Sequence, residues 1–176
     1  LVYYKGVEVL LKAFRYATES RQKIELFIAG TGELREKLEA MAERFGISEK
    51  VHFLGFLPDE QLKQAYADCD IFVLPSVVKS EAFGIVQIEA MACGKPVINT
   101  DLPSGVPYVS LDGKTGITVP PSDEKALAEA INTLVSDKEL RESCGRAAAE
   151  RVSSEFHEKE VIKRLYSVLS ERRAGK

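Results

Sequence analysis

The sequence contains no hydrophobic run long enough to cross a membrane. Its 176 residues are 45% hydrophobic and 29% charged, and the charges interrupt every apolar stretch before it reaches the roughly 20 residues that a spanning helix needs. The first 14 residues also lack the pattern of a signal peptide, because Lys5, Glu8 and Lys12 fall within the apolar stretch. We therefore expect a soluble globular domain without an integral membrane segment.

Cysteine and histidine are scarce, and neither sign of charge dominates. The cysteines, Cys69, Cys93 and Cys144, have no spacing typical of a disulfide framework or a metal-binding pair, which favours a reducing cytoplasm. The two histidines, His52 and His157, lie far apart, so a zinc site is not expected. The formal net charge of −3 argues against nucleic acid or an acidic membrane surface as a partner.

Short apolar runs alternate with longer segments of helical period along the chain. The predicted strands are residues 24–29, 51–54, 71–74, 96–99 and 117–119. Several are apolar at consecutive positions, which is typical of strands covered by helices on both faces. The alternation predicts an α/β fold, a doubly wound, Rossmann-like parallel sheet with right-handed crossovers.

Local signals predict where several helices begin and end. Gly46 is well placed to follow the helix predicted over residues 34–45. Asp59 is predicted to cap the third helix, and the Ser-Asp-Glu sequence at residues 122–124 to open a later one. Ser136 has capping-box spacing to Glu139 and is predicted to cap the helix after that. A final helix is predicted to carry Val161, Ile162, Leu165, Tyr166 and Leu169.

The loop after the first predicted strand contains Gly30-Thr31-Gly32 at a strand–helix junction. Arg35 stands where a dinucleotide-binding fingerprint needs its third small residue, which argues against NAD. A tight turn that uses glycine at positive φ is the favoured interpretation. A phosphate or nucleotide close to this backbone stays open as an alternative.

The segment 75–98, after the third predicted strand, is the most informative. Gly84 precedes an apolar helix and leaves backbone amides uncovered at the start of that helix, where phosphate oxygens commonly bind. Glu89 is nearly two turns inside that helix, so we expect it to need hydrogen-bond donors, which the vicinal diol of a ribose would supply. Glu81 is placed to bind hydroxyls of a second sugar. Alternatively, both glutamates simply lie favourably near a helix amino terminus.

This segment resembles the E-x7-E motif of retaining glycosyltransferase family 4, the glycosyltransferases group 1. Glu81 and Glu89 have the motif spacing within E-A-F-G-I-V-Q-I-E-A-M-A-C-G-K-P-V-I. Lys5-Gly6 with the following L-L-x-A, and residues 27–32, 51–57 and 113–121, match further blocks of the family. The resemblance covers essentially the whole chain and implies the carboxyl-terminal, donor-binding half of a two-domain GT-B enzyme. It also implies that residues 1–176 form one nucleotide-sugar-binding domain, with the first strand and an amino-terminal acceptor domain preceding residue 1.

The resemblance implies roles for individual residues. Lys5 would contact the donor diphosphate, and Leu57 and Leu62 would line the base pocket. Glu81, the predicted catalytic residue, would bind hydroxyls of the donor sugar, and Glu89 would bind the ribose diol. Backbone amides at the start of the apolar helix would hold phosphate and sugar, and these belong to Phe83, Gly84, Ile85 and Val86.

The implied activity is transfer of a hexose, with mannose as one candidate, from a nucleoside diphosphate sugar to a glycan or lipid-linked acceptor in polysaccharide biosynthesis. The implied enzyme is cytoplasmic and retaining, with no cofactor beyond the donor substrate and no metal. Asp68-Cys69-Asp70 matches the D-x-D metal pattern of the other large glycosyltransferase fold, but it precedes a strand and so lies away from the expected crevice. Tyr108 departs from the glutamate that many members carry, which leaves the sugar open. The alternatives are a non-enzymatic nucleotide-binding module and a GT-B-fold nucleotide-sugar epimerase.

Overall fold

The computed structural model describes residues 1–19 and 23–162 of the chain. Within them, five strands alternate with the first six of seven α-helices, and a 3₁₀ turn at Tyr3–Lys5 precedes the first helix. The helices are α1 (Val7–Thr18), α2 (Arg35–Arg44), α3 (Asp59–Asp68), α4 (Ile85–Ala92), α5 (Val106–Val109), α6 (Glu124–Ser136) and α7 (Lys138–Arg151). The strands are β1 (Leu26–Ala29), β2 (Val51–Gly55), β3 (Phe72–Leu74), β4 (Val97–Thr100) and β5 (Gly116–Val119). A π-helical turn, Val152–Phe156, follows α7.

The strands form two parallel sheets within the described residues. β1 pairs with β2, and β4 lies between β3 and β5. All five predicted strands are present and parallel, with ends that differ from the predicted ones by two residues at most. The expectation of a further central strand before residue 1 stays a prediction.

Helix α1 is shared by two hydrophobic clusters. One joins it to α6 and to strands of both sheets, and the other joins it to α2, β1 and β2. The first cluster contains Leu10, Ala13 and Ala17 with Ile98, Val119, Leu127, Ile131 and Leu134. The second contains Leu11 and Phe14 with Ile28, Leu38, Met41 and Val51. Because Leu10 and Leu11 are adjacent, neighbouring faces of α1 fill two different parts of the core, which fixes the helix and the turn before it.

The predicted helix ends are partly confirmed. Gly46 follows α2 at φ +67°, and Asp123 caps α6 by accepting from the first-turn backbone amides. Asp59 is the first residue of α3 and makes no side-chain cap, so that prediction was wrong. Ser136 was also wrong as a cap: its hydroxyl donates to Asn132 O at the end of α6, and the next residue, Asp137, caps α7 by accepting from a backbone amide.

The final predicted helix is described only at its beginning. Residues 158–162 are helical, and Val161 and Ile162 are exposed to solvent. Leu165, Tyr166 and Leu169 lie outside the described residues. No helix in the described part of the chain is long and apolar enough to span a bilayer.

Candidate functional site

The 3₁₀ turn that carries Lys5 lies directly against the segment that follows β3. Gly6 has φ +67°, and a Cβ at this residue would be 1.9 Å from Pro75 O, so no side chain fits there. Val77 N donates to Tyr4 O at 2.9 Å, a second contact between the same two segments. Sequence positions 4–6 and 75–77 are thereby held together, and they bring Lys5 to the loop that carries Glu81.

Lys5 and Glu81 form an ion pair at this junction. Lys5 Nζ lies 2.5 Å from Glu81 Oε2, and the lysine side chain is about one-third exposed while the glutamate is 8% exposed. The buried Ser76 hydroxyl donates to the same oxygen at 3.1 Å, and Thr100 at the end of β4 donates to Ser76 O. Glu81 is therefore held by a protein framework that reaches into the sheet, and the ammonium group of Lys5 lies at its solvent side.

Helix α4 begins at a glycine beside this ion pair. Gly84 occupies the N-cap position at φ +69°, and a Cβ there would be 2.6 Å from Leu74 Cδ2 and 2.8 Å from Gln87 Nε2. It offers no side-chain cap to the first turn, whose amides at Ile85 and Val86 have no partner within the helix. The amides and the positive end of the helix dipole therefore follow the loop that carries Glu81, the ion-pair partner of Lys5.

A buried polar network fixes the start of α4 to the sheet. Gln87, fully buried, donates to Phe83 O at 3.2 Å and accepts from Asn99 Nδ2 at 2.9 Å. The same Asn99 amide also donates to Val106 O, and its oxygen accepts from the Thr118 hydroxyl at 2.7 Å. Because buried polar groups are costly when unpaired, this network restricts where the loop before α4 can lie.

The Phe83 side chain is held by an aromatic cluster. It lies 6.5 Å from Tyr108 and 6.1 Å from Phe156, measured between ring centroids. The Arg151 guanidinium is 5.2 Å from the centre of the Tyr108 ring and 5.3 Å from that of Phe156. Tyr108, the residue that departs from the family pattern, therefore contacts the loop before α4 through Phe83.

Glu89 does not have the environment that we expected. Its side chain is exposed at the surface of α4, and the buried polar residue of this helix is Gln87. A donor is nevertheless present, because Tyr66 of α3 donates its hydroxyl to Glu89 Oε2 at 2.8 Å. Burial, together with the hydrogen bond to this carboxylate, raises the pKa of Tyr66 well above its usual range.

The remaining predicted residues lie after β2, on α3 and at the start of α4. Leu57 follows β2, and Leu62 is one turn before Tyr66 on the same face of α3. Both leucines are partly exposed. Val86 is partly buried and Ile85, at 66% exposure, faces solvent at the start of α4. The structure thus places Lys5 with Glu81 in direct contact, and Leu62 close to Glu89 through Tyr66.

The Gly30-Thr31-Gly32 and Asp68-Cys69-Asp70 patterns both have structural roles. Gly30 and Gly32 both have positive φ, and a Cβ at Gly32 would collide with the Leu1 backbone, in agreement with the tight-turn interpretation. Asp68 ends α3, and Asp70 is exposed and 3.9 Å from Arg141. Within residues 1–19 and 23–162, no group of three or more histidine, cysteine or acidic side chains is arranged to hold a metal ion.

The sequence matches a known family. Residues 1–151 match the family model for glycosyl transferases group 1. The chain belongs to this family. The predicted family and the Rossmann-like α/β fold of GT-B glycosyltransferases are therefore confirmed.

Two curated relatives and one solved structure place the chain within the family. O-antigen chain mannosyltransferase C of Escherichia coli is 32% identical over 96% of this chain and 45% of its own length. D-rhamnosyltransferase of Pseudomonas aeruginosa is 37% identical over 88% of this chain and 39% of its own length. The structure of Anabaena HepE in complex with UDP-glucose has a TM-score of 0.84 and 28% identity, and covers 97% of this chain and 46% of that one. The chain spans less than half the length of each.

Several residues of the site were not anticipated from the sequence. Ser76 orients Glu81, Gln87 and Asn99 fix the start of α4, and Tyr66 holds Glu89. Tyr66 and Glu89, and Gln87 and Asn99, lie on different elements of the fold, whereas Ser76 and Glu81 share the loop between β3 and α4. The Ser76, Gln87 and Asn99 side chains are buried polar groups, but nothing in the local sequence indicates their partners.

Proposed function

We propose that this chain is the donor-binding half of a retaining glycosyltransferase that transfers a hexose from a nucleoside diphosphate sugar. The observation that carries the proposal is the contact between Lys5 and Glu81 beside the glycine-capped start of α4. A cation, a carboxylate and first-turn amides lie together there, and these groups suit a diphosphate bonded to a hydroxyl-rich ring. The names of the E. coli, Pseudomonas and Anabaena relatives are consistent with a hexose donor.

Lys5 and the α4 amides would hold the diphosphate. Lys5 Nζ is on the solvent side of its ion pair, so it can turn toward an arriving phosphate without leaving a buried site. Phosphate oxygens at Ile85 and Val86 would accept hydrogen bonds from amides that have no helical partner. Together these groups would stabilise the negative charge that develops on the departing nucleoside diphosphate.

Glu81 would orient the donor sugar. When Lys5 turns to phosphate, Ser76 still donates to Glu81 Oε2, so the carboxylate keeps its position. Its other oxygen can then accept from sugar hydroxyls. In the reaction that we propose, the acceptor hydroxyl attacks the anomeric carbon on the face that the diphosphate leaves, and its proton passes to the departing phosphate. No protein nucleophile and no metal ion take part in this scheme.

Glu89 would bind the ribose of the nucleotide, with Leu57 and Leu62 against the base. The free side of the Glu89 carboxylate faces solvent, so a vicinal diol can reach it. Leu62, one turn from Tyr66, places an apolar surface near that carboxylate. An acceptor glycan or lipid-linked acceptor would be bound by another part of the protein, beyond the residues described here.

The proposal is tested by nucleotide binding to the 176-residue chain. UDP, GDP and ADP, each alone and as the corresponding sugar nucleotide, are titrated by ligand-observed NMR. The variants are Glu89→Ala and Glu81→Gln, with Glu129→Ala as the matched control because Glu129 is an exposed glutamate inside α6. We expect the nucleotides with one of the three bases to bind in preference to the others. Glu89→Ala should lower their affinity about tenfold or more, as for loss of a charged hydrogen-bonding partner.

Glu81→Gln should distinguish the contribution of the sugar to the binding affinity from that of the nucleotide. We expect it to weaken the sugar nucleotide more than the free nucleoside diphosphate, because only the former presents hydroxyls to Glu81. Glu129→Ala should bind as wild type. Equal affinity of Glu89→Ala and wild type would contradict the ribose assignment and favour an epimerase-like site. Binding of no nucleotide at millimolar concentration would refute the proposal.

A further inference from the structure

Tyr66 connects the predicted ribose-binding carboxylate to the core. Its ring is 8% exposed, and it packs edge-on against Phe72 of β3 with ring centroids 5.7 Å apart. Its hydroxyl reaches the surface of α4 and donates to Glu89 Oε2 at 2.8 Å. A phenol has one proton to donate, and here that proton is directed to Glu89.

The hydrogen bond limits the conformations of an otherwise mobile side chain. Glutamate is among the side chains with the most rotamer freedom to lose, and Glu89 is exposed. Among the residues that the structure describes, Tyr66 is its one hydrogen-bond partner. With Oε2 held, Oε1 is presented to solvent in a restricted direction, which lowers the entropic cost of binding a ligand there.

We propose that Tyr66 is a positioning residue that orients Glu89 toward the ribose diol, so that the pair selects ribonucleoside over dideoxyribonucleoside diphosphates. The inference rests on the proposed function, because it assigns Tyr66 to the same nucleotide site. The phenol is protonated at neutral pH even with the ordinary tyrosine pKa, and burial and the Glu89 carboxylate raise that pKa further. It therefore acts as a permanent donor toward the carboxylate.

A purely structural role for Tyr66 makes different predictions. Tyr66 is the one buried residue of α3, so its ring anchors that helix to the body of the domain. Phenylalanine at this position keeps the ring and its packing and removes only the hydroxyl. Tyr66→Phe therefore separates the anchoring of α3 from the orientation of Glu89.

The experiment compares ribose with dideoxyribose ligands. The preferred nucleoside diphosphate among UDP, GDP and ADP, and its 2′,3′-dideoxy counterpart, are titrated into wild type, Tyr66→Phe, Glu89→Ala and the double variant. Tyr16→Phe is the matched control, because Tyr16 is a partly exposed tyrosine on α1, near the opposite end of that helix from Lys5. Thermal denaturation of each variant measures whether the fold is retained.

We expect Tyr66→Phe to weaken the ribonucleotide about three- to tenfold, the usual worth of one such hydrogen bond. The dideoxynucleotide should bind Tyr66→Phe and wild type with equal affinity. In the Glu89→Ala background, adding Tyr66→Phe should not weaken ribonucleotide binding further. If Tyr66→Phe lowers the affinity for both ligands equally, or if the affinity losses add in the double variant, Tyr66 has a structural role only and the inference is overturned. An unchanged ribonucleotide affinity in Tyr66→Phe would also overturn it. If Glu89→Ala binds as wild type, the proposed function fails first, and the assignment of Tyr66 fails with it.

Discussion

Replacing Gly6 with alanine should displace Lys5 from the site and destabilise the whole domain. Gly6 lies between the turn that carries Lys5 and helix α1, at φ +67°. The added Cβ would be 1.9 Å from Pro75 O and 2.8 Å from Pro75 C. Real Cβ contacts stay beyond 3.0 Å, so the two segments must separate by at least 1.1 Å, the difference between 3.0 and 1.9 Å.

The expected cost of Gly6→Ala has two parts. An L-residue in the left-handed region costs about 1–2 kcal/mol in backbone strain. Separating the segments also breaks the hydrogen bond from Val77 N to Tyr4 O, for about 1 kcal/mol more. The total is about 2–3 kcal/mol, which for a domain of this length lowers Tm by roughly 4–12 °C.

Two other glycines provide matched controls. Gly46 and Gly113 also have φ +67°, and a Cβ at either would have nothing within 4 Å. Alanine at these positions brings the same backbone strain and the same change in the unfolded chain, without the collision. The difference between Gly6→Ala and these controls therefore isolates the close approach to Pro75.

The assay is thermal and urea denaturation of the three variants, followed by nucleotide titration. The free energy of unfolding of Gly6→Ala should fall by about 1 kcal/mol more than that of either control, because only Gly6→Ala breaks the hydrogen bond between the two segments. It should also bind the nucleoside diphosphate more weakly, since Lys5 moves with the turn. If Gly6→Ala is no less stable than Gly113→Ala, the account of this junction is refuted.

Two further variants test the interior of the domain. Asn99→Leu should lower the free energy of unfolding by about 2–4 kcal/mol, because it leaves Gln87 and Thr118 without their buried partner. A decrease of less than about 1 kcal/mol, measured by urea denaturation, would contradict this expectation. For Tyr66 the folded state retains a phenol proton that the unfolded chain releases above about pH 10, so stability should fall as the pH rises beyond that value. Between pH 9 and 11 the decline should be steeper in wild type than in Tyr66→Phe, and identical profiles would show that the raised pKa is absent.

Much of the fold could be predicted from local sequence, because each signal acts over a few residues. Consecutive apolar residues identified all five strands, and Gly46 and Asp123 were correctly assigned to helix ends. The errors arose where neighbouring residues offer similar chemistry. Ser136 and Asp137 can both cap a helix, and in the folded chain it is Asp137 that lies at the N-cap position of α7.

The environment of Glu89 could not be predicted from the composition of α4. Six of the eight residues of this helix are apolar, so no hydrophobic period indicates which face is buried. The packing placed Gln87 inward and Glu89 outward. The Tyr66 hydroxyl then came from α3, 23 residues earlier in the chain, and such a contact exists only in the folded arrangement.

The packing of α1 against α6 has a consequence for the order in which the site is assembled during synthesis. Leu10 and Ala13 share a cluster with Leu127 and Leu134, although more than 100 residues separate them. At about 5–20 residues per second, a ribosome needs roughly 6–24 s to proceed from the end of α1 to the end of α6. Until then α1 is held by its second cluster alone, with α2, β1 and β2, so we expect the helix that follows the Lys5 turn to complete its packing last.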